Sequence, residues 1–355
     1  MKQRFLRFLI SGLFILMACM ILGPNPAQVA NGQTSGTMAA PCDRACLRGF
    51  VDRYLEALVA HDPFRLPVAK SVKYTENTAQ MPLGDGLWVG ASEGPTTFKI
   101  YALDPVAHQA GLMGVMKEFE KPVLLVLRLK VGNGQITEIE HIVYRDVPKA
   151  SMPNLVTPRP GLVESVPPAE RVPRQEMVRI AESYFDSIEQ SNGSLAPFAD
   201  DCERHENGMQ TTSIKTRQPS PLDSSDVAGN QAFAKIGALG CRDGMNTHAF
   251  SYITRIQPRR PLVVDEEMGL VFTFPMFNHR GKVRSIKIVG VPGVDTIAMP
   301  FAPFNLSAGE IFKIRRGQIH EIEAAGFTLP YNSKTGWEAE DCTVTGAATG
   351  KTTGR

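Results

Sequence analysis

Residues 47–80 are written twice in this chain. Apolar residues at Leu47, Phe50, Val51, Tyr54, Leu55 and Leu58 lead to Thr75-Glu76-Asn77 and Gln80. Shifted by 130 positions stand Met177, Ile180, Ala181, Tyr184, Phe185 and Ile188, then His205-Glu206-Asn207 and Gln210. The spacing i, i+3, i+4, i+7, i+8 and i+11 is one face of an amphipathic helix. A later stretch repeats at another offset: Gly134-Gln135-Ile136-Thr137-Glu138-Ile139-Glu140 returns, 183 positions on, as Gly317-Gln318-Ile319-His320-Glu321-Ile322-Glu323. Matching ends in the same order predict a duplicated unit. The rise in offset from 130 to 183 places about 53 extra residues inside the second copy.

Within the first copy a short turn over 64–69 follows the helix. Ser71–Asn77, Thr97–Leu103, Ala107–Met116, Val123–Lys130 and Gln135–Tyr144 then read as strands, with Gly132-Asn133-Gly134 as a hairpin signal. Helices first and an antiparallel meander afterwards predict an α+β fold with the helix on one sheet face. In the second copy, Leu262–Val264 and Leu270–Phe277 form a hairpin around the acidic turn Asp265-Glu266-Glu267, and Val283–Val289 adds a strand. The extra residues are placed at 211–230 and 291–306. The seven prolines of Val147–Pro173 predict an extended linker laid over the surface. The boundaries are therefore a leader at 1–40, a first domain at 41–146, a linker at 147–173, a second domain at 174–340 and a tail at 341–355.

Lys2, Arg4 and Arg7 precede an apolar run from Phe8 to Leu22, the order of a secretory signal. The run is short for a spanning helix, which needs about 20 residues. The expectation is export to the periplasm or the exterior, with any membrane contact confined to an N-terminal anchor. A net charge of +2 without a Lys/Arg block gives no nucleic-acid surface. Cysteine usage fits export. Cys202–Cys241 is the expected bridge of the second copy, and Cys42 or Cys46 bonded to Cys342 would tie the ends together.

Helix, turn, strand and a curved meander ending in Gly-Gln-Ile-x-Glu-Ile-Glu resemble the NTF2-like, or SnoaL-like, cone fold, once per copy. Tyr74-Thr75-Glu76-Asn77, Met81-Pro82-Leu83-Gly84-Asp85-Gly86-Leu87-Trp88 and Val263-Val264-Asp265-Glu266-Glu267-x-Gly269-Leu270-Val271 resemble a largely uncharacterised family of secreted tandem SnoaL-like proteins. The resemblance implies two tandem cone domains, each a long N-terminal helix on a curved antiparallel sheet, packed as an intramolecular pseudo-dimer in a monomeric chain. It also implies a cone-shaped cavity, where superfamily members are cyclases, dehydratases, isomerases or hydrolases, or only bind.

Two functions are carried forward. One is a cofactor-free acid–base lyase, isomerase or hydrolase for a small hydrophobic molecule. The other is a non-catalytic binding module for such a molecule or for a partner protein. Candidate acid–base residues are Glu76, His141, His205 and Glu206, and candidate ligand contacts are Tyr74, Asn77, Trp88, Asn207, His248 and Tyr252. A carboxylate partly desolvated at Glu76 or Glu206 would have a raised pKa and could act as acid or base. Equally, Glu-Asn kept in both copies suits a turn that satisfies backbone groups. The copies differ where Tyr74 becomes Arg204, Thr75 becomes His205 and His141 becomes Ala324. His248 and Tyr252, four apart after Cys241, would share a helix face and reach His205 across the bridge. Trp88, Trp337, Phe301 and Phe304 would rim a pocket for an aromatic or polycyclic ligand, or seal the interface between the copies. The scattered histidines show no ligand spacing, so neither a metal nor a cofactor is expected.

Overall fold

Helix α1 (Arg44–Val59) buries the face marked by its apolar spacing, with Asp43 capping its first turn by accepting from the Cys46 N–H. His61 turns the chain with a positive φ, and Asp62 accepts from the Phe64 N–H to close a 3-10 turn at Pro63–Arg65. Helix α4 (Arg174–Glu189) repeats this 130 residues later: Ser191 turns the chain, Asn192 accepts from the Ser194 N–H, and a 3-10 turn spans Gly193–Leu195. These features belong to a computed structural model that describes residues 42–215 and 227–338. The leader, the tail 341–355 and Cys342 lie outside the described residues.

The first half continues through β1 (Val68–Glu76), β2 (Ala79–Gln80), helical turn α2 (Leu87–Gly90), β3 (Ala91–Glu93), β4 (Lys99–Asp104), β5 (Gln109–Glu118), β6 (Lys121–Gly132) and β7 (Gln135–Tyr144). After the connecting turn α3 (Pro160–Val163) and α4 come β8 (Phe198–Glu206), β9 (Met209–Gln210), α5 (Val227–Gly237), α6 (Cys241–Asn246) and β10 (Arg255–Ile256). Then follow β11 (Pro261–Asp265), β12 (Leu270–Thr273), β13 (Met276–His279), β14 (Ser285–Lys287), β15 (Thr296–Ala298), β16 (Phe304–Arg315) and β17 (Gln318–Pro330).

The main path of the first sheet is β2-β1-β7-β6-β5-β3, with β4 on β5; that of the second is β10-β13-β16-β17-β8-β9, with β12 on β16 and β11 on β12. The expected all-antiparallel sheet is corrected at one pair in each half. β1 runs parallel to β7, and β8 parallel to β17. Parallel neighbours need a long crossover, and the intervening meander provides it.

Two further expectations are corrected. Cys42 bonds Cys46 rather than either bonding Cys342, whereas Cys202 bonds Cys241 as expected. The strand expected at 283–289 pairs only with β15, in a separate ribbon whose Ile286 and Ile297 join Ala232, Ile236 and Ala249 in a small core of its own. The connection 147–173 is held against the two halves by its buried Leu155, Leu162 and Val166. Arg159 in it donates to the Glu203 and Ile322 carbonyls.

One apolar core takes residues from both halves, among them Ile100, Met113 and Val126 with Val263, Phe272 and Ile311. Polar pairs frame it reciprocally. Arg174, opening α4, pairs with buried Asp104 of β4 at 2.6 Å, and Asp104 also accepts from the Val264 N–H. Arg44, opening α1, pairs with buried Asp265 of β11, which accepts from the Leu103 N–H.

Candidate functional site

In the first half the candidates converge, but into a filled interior. Glu76 sits beside His141 in the parallel β1–β7 register. The Tyr74 hydroxyl lies 3.0 Å from Glu76 Oε2 and 3.3 Å from His141 Nδ1, while the Tyr54 hydroxyl is 2.9 Å from His141 Nε2. Trp88 Nε1 donates to Tyr54 at 3.1 Å. Tyr54, Tyr74, Glu76, Trp88 and His141 are each no more than 4% exposed. Gly86, at a positive φ, lets the Leu87 N–H reach Glu76 at 2.7 Å, because a Cβ there would meet the carboxylate at 2.6 Å. Arg145 binds the other oxygen at 2.7 Å.

The raised pKa expected for this carboxylate is therefore corrected. Burial alone would push Glu76 up, but His141, Arg145 and the Leu87 N–H together hold it down at about 2. A carboxylate so well satisfied is a poor proton acceptor.

The asparagines are structural in both halves. Asn77 donates to the Val143 carbonyl and accepts from its N–H, at 3.1 and 2.7 Å. Asn207 makes the same pair with Gly326, at 3.1 and 2.9 Å. Each stands at positive φ, which asparagine tolerates, and locks the end of the parallel pair.

The second half carries the same row of positions with different chemistry. Glu76, His141 and Leu127 lie across β1, β7 and β6; Glu206, Ala324 and Glu310 lie across β8, β17 and β16. An alanine thus replaces a histidine ring, and a buried glutamate replaces a leucine. After β9 the chain runs on toward α5 and α6, with no tryptophan to fill the interior. A cavity of about 100 Å³ remains, lined among others by Tyr184, Arg204, Glu206, Phe250, Tyr252 and Glu310.

Arg204, only 3% exposed, occupies the Tyr74 position. It donates to Thr211 Oγ1 at 2.9 Å and the Tyr184 hydroxyl at 3.1 Å, lies 3.1 Å from Glu206, and packs 4.7 Å over the Phe250 ring. The Glu206 side chain is 44% exposed and marks the solvent side. Glu310 lies at the buried end, 3% exposed, and its Oε2 has no hydrogen-bond partner among the described residues. Burial first, then the negative charge of Glu206, push its pKa up to about 8 against the pull of Arg204. Burial also raises both tyrosines, Tyr252 to about 12 and Tyr184 further, so their hydroxyls keep their protons.

His205 does not join this group. Neighbouring strand residues point to opposite faces, so His205 turns away from Arg204 and Glu206. It lies 2.7 Å from Glu203 and 3.9 Å from Glu323. His248 is corrected as well: α6 ends at Asn246, and His248 is exposed at a positive φ while Tyr252 lines the cavity. Trp337 covers the outer face of the first sheet, donating to Thr75 at 3.0 Å with Arg128 4.6 Å above its ring. Phe304 lines the cavity, and Phe301, 43% exposed, meets it edge-on.

Glu310 and Tyr184 are the residues that strand patterns alone did not pick out as functional. Shifting Leu127 by the second offset of 183 lands on Glu310, an acidic residue where the first copy has a core leucine. No cluster of three or more His, Cys, Asp or Glu suited to a metal ion occurs among the described residues.

Residues 170–326 match a family model described as "Domain of unknown function (DUF8021)". No curated protein matches the chain. Among solved structures it is similar to one named "putative ketosteroid isomerase from Kribbella flavida DSM 17836", at 17% identity, covering 36% of this chain and 93% of that one, with a TM-score of 0.24.

Proposed function

We propose that this is an exported protein of two tandem NTF2-like cone domains, 41–146 and 174–340, packed as an intramolecular pseudo-dimer. In this reading only the second domain carries an acid–base site, and it acts on a small hydrophobic carbonyl compound. The first domain is its scaffold. The two disulfides are compatible with export, and the reciprocal Arg44–Asp265 and Arg174–Asp104 pairs support the pseudo-dimer.

The observation that carries the reading is Glu310, a buried carboxyl without a partner among the described residues, sharing a cavity with the Arg204–Glu206 pair. Environments that separate two carboxyl groups assign an acid and a base. Glu206, paired with Arg204 at 3.1 Å and open to solvent, takes a proton from the carbon next to the carbonyl. The charge that develops on the carbonyl oxygen is held by hydrogen bonds from protonated Glu310 and from Tyr184. Glu206 then returns the proton to the same carbon, or to a conjugated one in an isomerisation.

The test is exchange of the α-hydrogens of cyclohexanone in D2O, followed by proton NMR at neutral pH. The protein should accelerate exchange over buffer, and Glu206→Gln should lower that acceleration by about 10²-fold or more. Exchange no faster than in buffer would reject catalysis and leave the binding-module reading.

A further inference from the structure

A second cavity, of about 380 Å³, lies on the opposite face of the second-half sheet and shares no lining residue with the first. Strand alternation separates the two: Ala308 and Glu310 of β16 line one, Lys313 and Arg315 the other. The connection between the halves supplies a wall, from Gly161 to Pro167. It is fixed by buried Leu162 and Val166 and by Lys313 Nζ, which donates to the Glu164 carbonyl at 2.6 Å. Gly161 brings it so close that a Cβ there would meet Glu321 Oε1 at 1.8 Å.

The first half repeats this backbone with different side chains. Each half carries a bulge: Lys130 opposes Glu138 and Val131 opposes Ile136, as Lys313 opposes Glu321 and Ile314 opposes Ile319. The extra residue is Thr137 in one and His320 in the other. A bulge re-aims a side chain, so His320 shares the cavity with its neighbour Glu321. Beside it, Ser71 of the first copy becomes Asp201, whose Oδ1 lies 2.6 Å from His320 Nδ1. In the first half Arg128 and Lys130 bind Glu138 at 2.8 and 3.0 Å. In the second, Ile311 replaces that arginine and Lys313 donates to backbone carbonyls instead. His320 Nε2 and Glu321 Oε2 are both buried with no hydrogen-bond partner among the described residues. The second copy has gained polar groups here and lost the partners that would satisfy them.

Their surroundings define the ligand. Arg315 lies 3.7 Å from Asp201, Arg159 lies 3.5 Å from Glu321, and Lys313 stands across from Glu321 in register. The two signs of charge are interleaved. An anion would meet a carboxylate beside each cation, and a cation would meet the reverse. An amino-acid zwitterion needs its poles sorted, and here they are not. Donors and acceptors side by side suit vicinal hydroxyl groups, since each hydroxyl both donates and accepts. About 380 Å³, at roughly 10–15 Å³ for each water-sized group, accommodates about 25 such groups, the size of a disaccharide. We propose that this cavity binds an uncharged saccharide of one or two rings, its hydroxyls engaging His320, Glu321 and Arg315. Val166 and Pro167 offer a surface to the apolar face of a ring. The site is independent of the acid–base cavity.

The full chain is tested by saturation-transfer difference NMR against maltose, cellobiose, lactose, sucrose and diacetylchitobiose, with inorganic phosphate, putrescine and glycine betaine as competitors. At least one disaccharide should receive saturation, and an equal concentration of any competitor should not displace it. His320→Thr and Asp201→Ser each install the first-copy residue. The first should weaken that disaccharide by about tenfold, and the second, which only frees the imidazole from its anchor, by about threefold. Circular dichroism of both variants keeps loss of binding separate from loss of fold, and Asp201, 62% exposed in its side chain, can be replaced without opening a core. Glu206→Gln, in the other cavity, should bind the sugar as wild type does. No disaccharide bound, displacement by a charged competitor, a His320→Thr variant that binds as wild type, or loss of binding in Glu206→Gln overturns the proposal.

Discussion

Glu76 and Glu206 occupy the same place in the repeat, yet the protein treats the carboxyl groups around them in opposite ways. Glu76 is held near 2 by His141, Arg145 and a backbone N–H against the effect of burial. Its contribution to stability is present above the ordinary value of about 4.5 and is lost as the pH falls toward about 2. Glu76→Gln should therefore lower stability by about 3 kcal/mol at pH 7, with the gap closing in urea titrations between pH 4.5 and 2. Glu310 has the reverse sign. Below pH 4.5 it is protonated in folded and unfolded chains alike. From there to about 8 only the unfolded chain releases the proton, so the folded state loses up to about 1.4 kcal/mol per pH unit. Glu310→Gln should match wild type at pH 4 and exceed it by a few kcal/mol at pH 8.5. A pH-independent difference in the same titrations would count against the raised carboxyl. Glu310 was hard to read from sequence because its character depends on what stands across the strands. A glutamate between Gly309 and Ile311 becomes a cavity acid only because Ala324 lies next to it. The displacement of His205 from the site was legible, since strand alternation alone sends it away from Arg204 and Glu206.

At the scale of elements, the repeated stripe on α1 and α4 and the repeated β7 and β17 ends were legible because both are periodic. The parallel closure of each sheet was not, since parallel and antiparallel pairings bury the same faces. The insertion was also hard to place, because its ribbon and helices make a core of their own. One covalent link ties that insertion to the site: the Cys202–Cys241 bond joins β8, two residues before Arg204, to α6, which leads into Phe250 and Tyr252. The 39-residue separation predicts a contribution of about 4 kcal/mol from restricting the unfolded chain. Replacing both cysteines by alanine should lower the urea midpoint accordingly. Because α6 would then be held only by apolar contacts and the hydrogen bonds of Arg242 to Phe198 and of Asn246 to Gly193, cyclohexanone affinity should fall in the same variant, while its far-ultraviolet circular dichroism is unchanged. The complementary change, Ala324→His, restores the ring that fills the first half and should abolish that binding without lowering stability.

For the whole molecule, the decisive feature is that the two halves share a core. Phe272 of the second half packs so close to β5 that a Cβ on Gly111 would meet its ring at 2.4 Å, and a Cβ on Gly309 would meet Val126 at 2.5 Å. Neither half can bury these surfaces alone. Around them the two arginine–aspartate pairs are mirror counterparts, with Asp104 and Asp265 both fully buried. Removing one partner leaves a buried charge unpaired, which costs about 3–5 kcal/mol, more than the pair itself contributes. Arg174→Ala should therefore destabilise the chain by about 3 kcal/mol or more, and Arg44→Ala by a comparable amount, since each strands an aspartate of the opposite half. Both variants should still unfold in a single urea transition seen alike by fluorescence and circular dichroism, because each half, although it has a core of its own, exposes the shared core when the other opens. Two separated transitions would show instead that the halves are independent domains whose contact is incidental. In that case the scaffold role assigned to the first half would fail, and the cavity of the second should persist in a chain that lacks it.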